Sequence, residues 1–309
     1  MQRLLAFFFA AALLWTPAWS QSAPDALVPD LSQYILTPPA PPTPRINGAK
    51  VFGARPGSEF LFAIPASGDR PMTFAAEGLP KGLSLDPSTG FITGRVKKPG
   101  TYLVKLTARN ALGEATRELR IVIGERIALT PPMGWNSWNT FGENISEELI
   151  MGIADAMVEK GLRDAGYEYI VIDDCWSLRE RGEDGRLVAD PKKFPHGMKY
   201  LADYIHSKGM KFGMYSCAGT LTCAGYPSSF DHEYLDAQTF ADFGIDFLKY
   251  DFCYKPETSD GPLLYYRMGM ALKATGREIL FSACNWGSDN VWQWIRSTGA
   301  HMYRSTGDI

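Results

Sequence analysis

Two aspartates at the ends of strand-like segments have the residue types and placement for acid–base and nucleophilic chemistry. Asp251 follows the apolar run that starts at Leu248, and Lys249 lies two residues before it, so the alternation of a strand puts both on one face. Asp308 closes a second strand-like segment, 302–308. Hydrolysis of a glycosidic bond needs two such carboxylates. The spacing of Lys249 and Asp251 alone would equally suit a structural ion pair.

A repeating pattern of strand, helix and glycine must position these side chains. Five glycines follow helix-like segments as left-handed C′ residues would: Gly161, Gly209, Gly244, Gly276 and Gly299. Apolar runs come after the first four, at 169–172, 211–215, 245–248 and 278–281. Apolar residues recur at the helical period in two of the helices, at Ile150, Ile153, Ala154 and Met157 and at Met198, Leu201, Ala202 and Ile205. Repeated βα units predict a parallel sheet, and polar strand ends favour a TIM barrel.

The barrel is expected to be incomplete. If Met133–Trp138 is the first strand and Met302–Gly307 the sixth, about two βα units of eight are missing. A whole barrel takes roughly 250 residues, whereas 130–309 provides 180. We therefore expect a truncated chain, with residues 128–309 as the N-terminal part of a catalytic domain.

The region 46–125 has a different rhythm, with short alternating runs at 59–64, 102–108 and 117–123. Such runs between glycine and proline turns predict a small β-sandwich. The segment 82–94, with the turn Asp86-Pro87, resembles the immunoglobulin-like modules of secreted bacterial proteins. A passive spacer is the favoured role and sugar binding the alternative, since a fold does not determine a function.

The first 45 residues predict a signal for export followed by a linker. Arg3, the apolar run 4–14 and the small-x-small site at 18–20 indicate a signal peptide over residues 1–20. The alternative, a retained membrane anchor, is disfavoured by the short run. Residues 21–45 are Pro-rich, which predicts a stiff linker. The mature protein is expected to be soluble, not membrane-bound, and periplasmic or extracellular.

Composition excludes several classes of partner and leaves others open. A net charge of −3 offers no basic face for nucleic acid. The 4 histidines lack metal-ligand spacing and no phosphate-cradling glycine loop is present, so no cofactor and no metal is expected. Export permits disulfides, and 5 cysteines leave at least one unpaired. The oligomeric state is not determined by these features.

Five motifs in chain order, at 131–138, 172–176, 223–227, 248–251 and 304–308, together resemble glycoside hydrolase family 27, the α-galactosidase (melibiase) family. The resemblance implies Asp251 as nucleophile and Asp308 as acid/base. It further implies a retaining, exo-acting α-galactosidase that releases terminal α-linked galactose from oligosaccharides, galactomannans or glycoconjugates by double displacement. Within the same barrel, α-N-acetylgalactosaminidase or another specificity is an alternative. A non-catalytic carbohydrate-binding protein is a further one.

The resemblance also assigns binding residues. Asp173 and Asp174 would hold the 4- and 6-hydroxyls, although a turn cap is an alternative for one of them. The other positions are Trp138 as a wall under the sugar, Tyr215 as a hydroxyl donor, Lys249 as a hydroxyl ligand that keeps Asp251 ionised, Arg304 at the 2-hydroxyl, and Asn285 at the 2-substituent. Core packing is the alternative for the aromatic residues. Many family members have glutamate where Asn285 stands, so the preference between galactose and N-acetylgalactosamine is open.

The cysteines divide into an implied pair and a remainder. The resemblance implies a disulfide between Cys223 and Cys253. The cysteine that family members often have near 141–143 is absent, so Cys175 lacks its usual partner. Since neighbouring strands lie about 4.8 Å apart, Cys175 and Cys217 at the ends of adjacent strands could form a second disulfide. The pairing of Cys284 is not predicted.

Overall fold

The structure is a computed structural model and describes residues 39–308. The predicted signal peptide, 1–20, and most of the predicted linker lie outside the described residues. From Ala40 onward the chain forms one unit by its internal contacts. Within it, a β-rich part at 45–123 (the β module) precedes an alternating part at 130–308 (the βα module).

The β module consists of two sheets around one core. Its strands are β1 Arg45–Ile46, β2 Val51–Ala54, β3 Glu59–Ala63, β4 Ala66–Ser67, β5 Thr73–Glu77, β6 Leu83–Leu85, β7 Phe91–Arg95, β8 Gly100–Asn110 and β9 Gly113–Ile123. One sheet has the order β2-β9-β8-β5 and the other β3-β7-β6, while β1 pairs with β4. Phe60, Phe62 and Ile92 of the smaller sheet share a buried cluster with Val104 and Ile121 of the larger. The three runs predicted as strands are confirmed.

The end of the Pro-rich tract is attached to the β module. The carbonyl of Pro42 accepts hydrogen bonds from Asn110 Nδ2 at 2.8 Å and from the Asp69 amide at 2.9 Å. Pro44 is buried, and β1 begins at the next residue. Residues 42–45, predicted as linker, therefore belong to the β module, because the Pro42 carbonyl accepts hydrogen bonds from its loops.

The βα module has a six-stranded, wholly parallel sheet in sequential order. Its strands are β10 Gly134–Asn136, β11 Tyr169–Val171, β12 Lys211–Cys217, β13 Phe247–Asp251, β14 Leu280–Ala283 and β15 Met302–Tyr303. The α-helices are α1 Trp138–Phe141, α2 Glu147–Glu159, α3 Leu162–Ala165, α4 Gly197–Ser207, α5 Glu233–Phe243 and α6 Gly261–Ala274. Two 3₁₀ helices cover Ser288–Gln293 and Ile295–Thr298. The predicted sequence of parallel strands is confirmed.

The first and last strands are shorter than predicted. Trp138 does not belong to the first strand, because Asn136 Oδ1 accepts the Trp138 amide at 2.9 Å in a side-chain turn that ends β10. The last strand ends at Tyr303, so Asp308 lies beyond it. Arg304 holds this tail in a local turn, since its Nε donates to the Thr306 carbonyl at 3.0 Å.

Helix ends and helix faces follow the sequence pattern. All five predicted C′ glycines have positive φ, for example 75° at Gly209 and 83° at Gly244. Met198, Leu201, Ala202 and Ile205 of α4 are at most 1% exposed. Such apolar faces pack the helices on the sheet. They leave the strand ends to carry polar groups.

The β module packs against the amino-terminal ends of the parallel strands. Lys211 Nζ, at the start of β12, lies 4.3 Å from the centre of the Phe52 ring, and Asn47 Nδ2 donates to the Asp164 carbonyl at 2.8 Å. Gly209 lies so close to the Phe91 ring that a Cβ at this position would overlap it. The two modules therefore share an interface, and whether the β module acts as a spacer stays a prediction. Among residues 39–308, no helix has the length and apolar content to cross a membrane.

Candidate active site

The carboxyl-terminal ends of the parallel strands gather three carboxylates and a lysine. Asp173, just beyond β11, is 2% exposed. Its Oδ2 accepts hydrogen bonds from Lys249 Nζ at 2.7 Å and from Asn136 Nδ2 at 2.9 Å. Asp173 and Asp174 follow β11, Lys249 and Asp251 belong to β13, and Asn136 at the end of β10 binds Asp173, because these strand ends meet at one edge of the sheet.

Lys249 bridges two of the carboxylates. Its Nζ is 2.7 Å from Asp173 Oδ2 and 4.0 Å from Asp251 Oδ2, and it lies 5.1 Å from the centre of the Tyr215 ring. The predicted same-face placement of Lys249 and Asp251 is confirmed, but the shorter contact is with Asp173. Burial acts to lower the pKa of Lys249, and the Asp173 carboxylate outweighs it, so this pKa is raised and the lysine stays charged.

Asp251 is 6% exposed and receives donors on one oxygen. Trp286 Nε1 donates to Oδ1 at 2.8 Å, and the Phe252 amide donates to the same atom at 3.0 Å. Oδ2 faces Lys249. Burial raises the pKa of Asp251 above its ordinary value, while the charge of Lys249 and the two donors oppose that rise. The prediction that Lys249 favours the ionised form agrees in direction.

Asp174 is fixed by backbone donors. Its Oδ1 accepts from the Cys175 amide at 2.7 Å and its Oδ2 from the Ala224 amide at 2.9 Å. Burial raises its pKa and these donors oppose the rise. Asp173 Oδ1 likewise accepts from the Asp174 amide, so both aspartates cap backbone groups. Asp173 also uses its second oxygen for the side chains of Lys249 and Asn136.

A disulfide borders the group. Cys223 and Cys253 are bonded, with Cα atoms 5.1 Å apart, which confirms the predicted pair. The Tyr215 hydroxyl donates to Cys223 Sγ at 3.2 Å. The Tyr215 side chain, predicted as a donor to ligand, is 1% exposed. Its hydroxyl is therefore occupied by the disulfide.

The second predicted disulfide is wrong. Cys175 and Cys217 are both unpaired and buried. The pairing of β11 with β12 ends at Val171 and Gly213, and Cys175 has a φ of 70°, so the chain has left the strand direction before it reaches this cysteine. Cys217 Sγ instead donates to the Cys253 carbonyl at 3.2 Å. Cys284 is also unpaired, and burial together with the Asp251 carboxylate raises its pKa to about 12.

Asp308 and Arg304 form a separate pair. Arg304 Nη1 lies 2.6 Å from Asp308 Oδ1, and the Asp308 side chain is 89% exposed. The Arg304 amide donates to the Ala283 carbonyl at 2.9 Å, which places this pair beside the end of β14. The structure brings Asp173, Lys249 and Asp251 together, and it gives Asp308 no polar contact with them.

Asn285 and Trp138 differ in exposure. Asn285 is fully buried, its Nδ2 donates to the Ser288 carbonyl at 2.7 Å, and its Oδ1 has no partner among the described residues. Trp138 is 40% exposed, so the core-packing alternative does not apply to it. An unpartnered acceptor and an exposed ring near the group are both features of a polar binding site.

Two contributors were missed as site residues. Trp286 contacts Asp251 directly, whereas the sequence analysis assigned a role only to its neighbour Asn285. Asn136 orients Asp173, although it was noted only within the first motif. Their position near the carboxyl ends of parallel strands, Asn136 as the last residue of β10 and Trp286 three residues after β14, was the available signal, since the ends of neighbouring parallel strands converge.

The group offers no ready metal site. Cys223, Asp251 and Cys253 are the candidate trio among residues 39–308. Both sulfurs are committed to the disulfide, and metal ligation requires thiolates.

Comparison with known proteins places the chain in a family. The sequence profile of the family described as alpha galactosidase A, or melibiase, matches residues 130–304. The chain belongs to this family. A second profile, that of an immunoglobulin-like domain, matches residues 43–124. Asp308 lies four residues beyond the first match.

Individual relatives agree with the family assignment. Alpha-galactosidase A of Cellvibrio japonicus is 54% identical over 187 residues, which cover 60% of this chain and 45% of that protein. A Bacteroides fragilis structure provisionally described as an α-galactosidase has a TM-score of 0.85 and 50% identity, covering 86% of this chain and 57% of that one.

An α-galactosidase structure from Saccharomyces cerevisiae with raffinose has a TM-score of 0.55 and 47% identity, covering 57% of this chain and 40% of that one. The chain spans 39% to 48% of the length of the curated relatives. The similarity to these relatives thus covers less than half of the length of each.

Proposed function

We propose that this chain provides the galactose-binding and nucleophilic part of a retaining, exo-acting α-galactosidase. The observation that carries the proposal is the convergence of Asp173, Lys249 and Asp251 at the carboxyl edge of the parallel sheet. Relatives named α-galactosidase, at about half identity over this region, support it. The six parallel strands would then be part of an eight-stranded barrel, whose catalytic face is this edge.

In the proposed mechanism, Asp251 attacks the anomeric carbon of a terminal α-galactoside. The bond from that carbon to the leaving oxygen breaks, and Asp308 donates its proton to that oxygen. Asp308 then takes a proton from water, whose oxygen replaces Asp251 on the sugar. Two inversions give retention of configuration.

The donors on Asp251 suit this role. Trp286 and Phe252 bind Oδ1, which leaves Oδ2 beside Lys249 as the attacking atom. Lys249 favours the ionised carboxylate that attack requires. Because burial raises the pKa of Asp251, activity should fall as the pH drops through that raised value.

Sugar recognition is assigned to the buried carboxylates and the exposed indole. Asp173 and Asp174 would accept the 4- and 6-hydroxyls, and Lys249 would donate to a hydroxyl next to Asp173. Trp138 would cover the apolar face of the ring. Arg304 and Asn285 would face the 2-substituent, and the unpartnered Oδ1 of Asn285 is an acceptor for a hydroxyl hydrogen.

The proposed role of Asp308 requires its carboxyl group to lie close to that of Asp251. Retaining glycosidases have their two carboxyl groups about 5 Å apart. The Asp308 side chain is exposed and paired with Arg304. We therefore propose that in the full-length protein this carboxylate approaches Asp251 across the width of one sugar ring.

Export to the periplasm or the cell exterior is proposed on two observations. Residues 1–20 have the composition of a signal peptide. The Cys223–Cys253 disulfide is of the kind that persists in oxidising compartments. Detection of the mature protein outside the cytoplasm would test this.

Hydrolysis of p-nitrophenyl α-galactoside by the full-length protein tests the function. Asp251→Asn should lower kcat on the order of 10⁴-fold or more, since it removes a nucleophile. Asp203→Asn, at a half-exposed aspartate on α4, is the matched control and should leave the rate unchanged. NMR of the first-formed product should show the α-anomer.

Three results would contradict the proposal. They are an unchanged rate in Asp251→Asn, a β-anomer as first product, or faster hydrolysis of the 2-acetamido analogue than of the galactoside. The last result would favour α-N-acetylgalactosaminidase. Binding of galactose without any turnover would favour a carbohydrate-binding protein.

A further inference from the structure

One loop lies between the proposed nucleophile and the segment that carries the proposed acid/base. This loop, residues 284–290, follows β14. On one side, Trp286 Nε1 donates to Asp251 Oδ1 at 2.8 Å. On the other side, Gly287 packs against the main chain of Ser305. Two successive residues of the loop thus connect the nucleophile with the segment of the acid/base.

Gly287 leaves no room for a side chain. A Cβ at this position would overlap the carbonyl oxygen of Ser305 and lie 2.8 Å from its carbonyl carbon. Non-bonded carbon atoms pack at about 3.5–4.0 Å, and a main-chain group cannot turn aside as a flexible side chain can. The φ of 82° at Gly287 also lies in the left-handed region, where other residues are strained. Position 287 therefore requires glycine for two separate reasons.

The loop is held by its own hydrogen bonds. The Ser288 amide donates to the Asn285 carbonyl at 2.9 Å, and Asn285 Nδ2 donates back to the Ser288 carbonyl at 2.7 Å. Trp294 Nε1 donates to the Asp289 carbonyl at 2.7 Å. Asn285 is also fully buried. The loop therefore has little freedom to move away from its neighbour.

The segment 304–308 is held more loosely. The Arg304 amide donates to the Ala283 carbonyl at 2.9 Å, and Arg304 Nε donates to the Thr306 carbonyl within the segment. The last four residues of the segment are exposed. An added Cβ at Gly287 would therefore displace this segment and leave the loop, with its contact to the nucleophile, in place.

We propose that Gly287 is a positioning residue for Asp308: its lack of a side chain sets how closely the segment 304–308 packs on the loop, and hence how far Asp308 lies from Asp251. This inference rests on the proposed function and deepens it, because it names the contact through which the acid/base is placed. A retaining enzyme needs its two carboxyl groups about 5 Å apart. A displacement of about 1 Å at Ser305 would therefore impair proton transfer to the leaving group.

The leaving group of the substrate distinguishes the two carboxyl groups in an assay. The p-nitrophenoxide ion is a weak base and departs with little help from an acid, whereas methoxide has to be protonated as the glycosidic bond breaks. The ratio kcat/KM reports the first chemical step, in which Asp251 attacks and Asp308 protonates. A misplaced acid therefore affects methyl α-galactoside far more than p-nitrophenyl α-galactoside.

Gly287→Ala in the full-length protein tests the proposal. The kcat/KM for methyl α-galactoside should fall on the order of 10²-fold, and that for p-nitrophenyl α-galactoside by less than about fivefold. Gly161→Ala is the matched control, since Gly161 has a φ of 75° and open space where a Cβ would lie. It introduces the same backbone strain and should leave both values unchanged. Equal losses on the two substrates in Gly287→Ala, or no loss, would overturn the proposal.

A double variant shows whether Gly287 acts through Asp308. Asp308→Asn should itself lower kcat/KM for methyl α-galactoside strongly. Adding Gly287→Ala should then cause little further loss, because the group to be positioned is already gone. A further loss as large as that of Gly287→Ala alone would show that the glycine acts independently of the acid/base, which contradicts the proposal.

Gly287→Asn covers the case in which the alanine variant does not fold, because asparagine adopts positive φ more readily while it still carries a Cβ. It should show the same difference between the two substrates. Failure of both variants to fold would mean that the fold alone requires the glycine, and the proposal would be wrong. A wild-type enzyme that hydrolyses neither substrate rejects the proposed function together with this inference, whereas equal losses on both substrates reject this inference alone.

Discussion

The two ends of the parallel sheet use the same residue types in different ways. At the carboxyl end, Lys249 lies within 4.0 Å of two carboxylates, Asp173 and Asp251. At the amino end, Lys211 pairs with Glu168 and Arg277 pairs with Glu59 of the β module, while Glu278 forms no ion pair within residues 39–308. The first arrangement converges at one edge of the sheet, whereas the second is spread between two modules. Changes at the first should affect catalysis, and changes at the second should affect stability.

Among the three substitutions that test this comparison, Lys249→Met should produce the largest effect. It removes the cation that favours ionised Asp251 and binds Asp173, so kcat/KM should fall on the order of 10²–10³-fold. The pKa of Asp251 should rise further, which moves the acid limb of the pH–rate profile to higher pH. Steady-state kinetics over a pH series measures both.

Lys199→Met is the control for that change, because Lys199 pairs with Asp203 on the surface of α4. It should leave the pH profile unchanged. A Lys249→Met enzyme with the wild-type acid limb would show that Lys249 does not tune Asp251.

Arg277→Met should lower the stability of the protein and leave its activity unchanged. It removes ion pairs to Glu59 and Asp246 and hydrogen bonds to the carbonyls of Ile245 and Gly244. We expect a loss of about 2 kcal/mol in the free energy of unfolding, with kcat/KM unchanged. Urea denaturation together with the galactoside assay checks both. A fall in activity without a loss of stability would break the distinction between the two ends.

Trp286→Phe should give the smallest effect and sharpen the description of the catalytic end. Phenylalanine keeps an aromatic ring but removes the Nε1 donor to Asp251 Oδ1. A charge-assisted hydrogen bond of this kind contributes about 1.5 kcal/mol, so kcat should fall about tenfold. The acid limb should move slightly to higher pH, because that donor opposes the rise in pKa.

Trp294→Phe serves as the comparison, since the Trp294 indole donates to the Asp289 carbonyl and not to a carboxylate of the candidate active site. Its kinetics should match the wild type. Equal losses in both variants would indicate a general packing effect instead of a specific hydrogen bond.

Local features of the sequence predicted the framework well. The C′ glycines, the apolar faces of α2 and α4, and the order of the parallel strands all depend on periodicity and backbone conformation, which act over a few residues. The same-face placement of Lys249 and Asp251 was predictable for this reason. The Cys223–Cys253 bond came from the family resemblance.

Features that depend on distant partners were not predictable. The closest partner of Lys249 is Asp173, 76 positions away, and the Nε1 contact of Trp286 with Asp251 spans 35 positions. The Cys175–Cys217 disulfide failed because a strand was assumed to continue four residues beyond its end. No periodicity shows where a chain leaves a sheet.

Gly209 meets two structural requirements at once, the end of helix α4 and the packing of the β module. Its φ of 75° lets the chain turn away after α4. Because it has no side chain, it leaves room for the Phe91 ring. Asparagine tolerates left-handed backbone, so it could satisfy the first requirement while colliding with Phe91. We therefore expect asparagine to be tolerated here in a relative without a β module, and glycine to be required in a relative that has one. The identity of this single position should thus covary with domain architecture across the family.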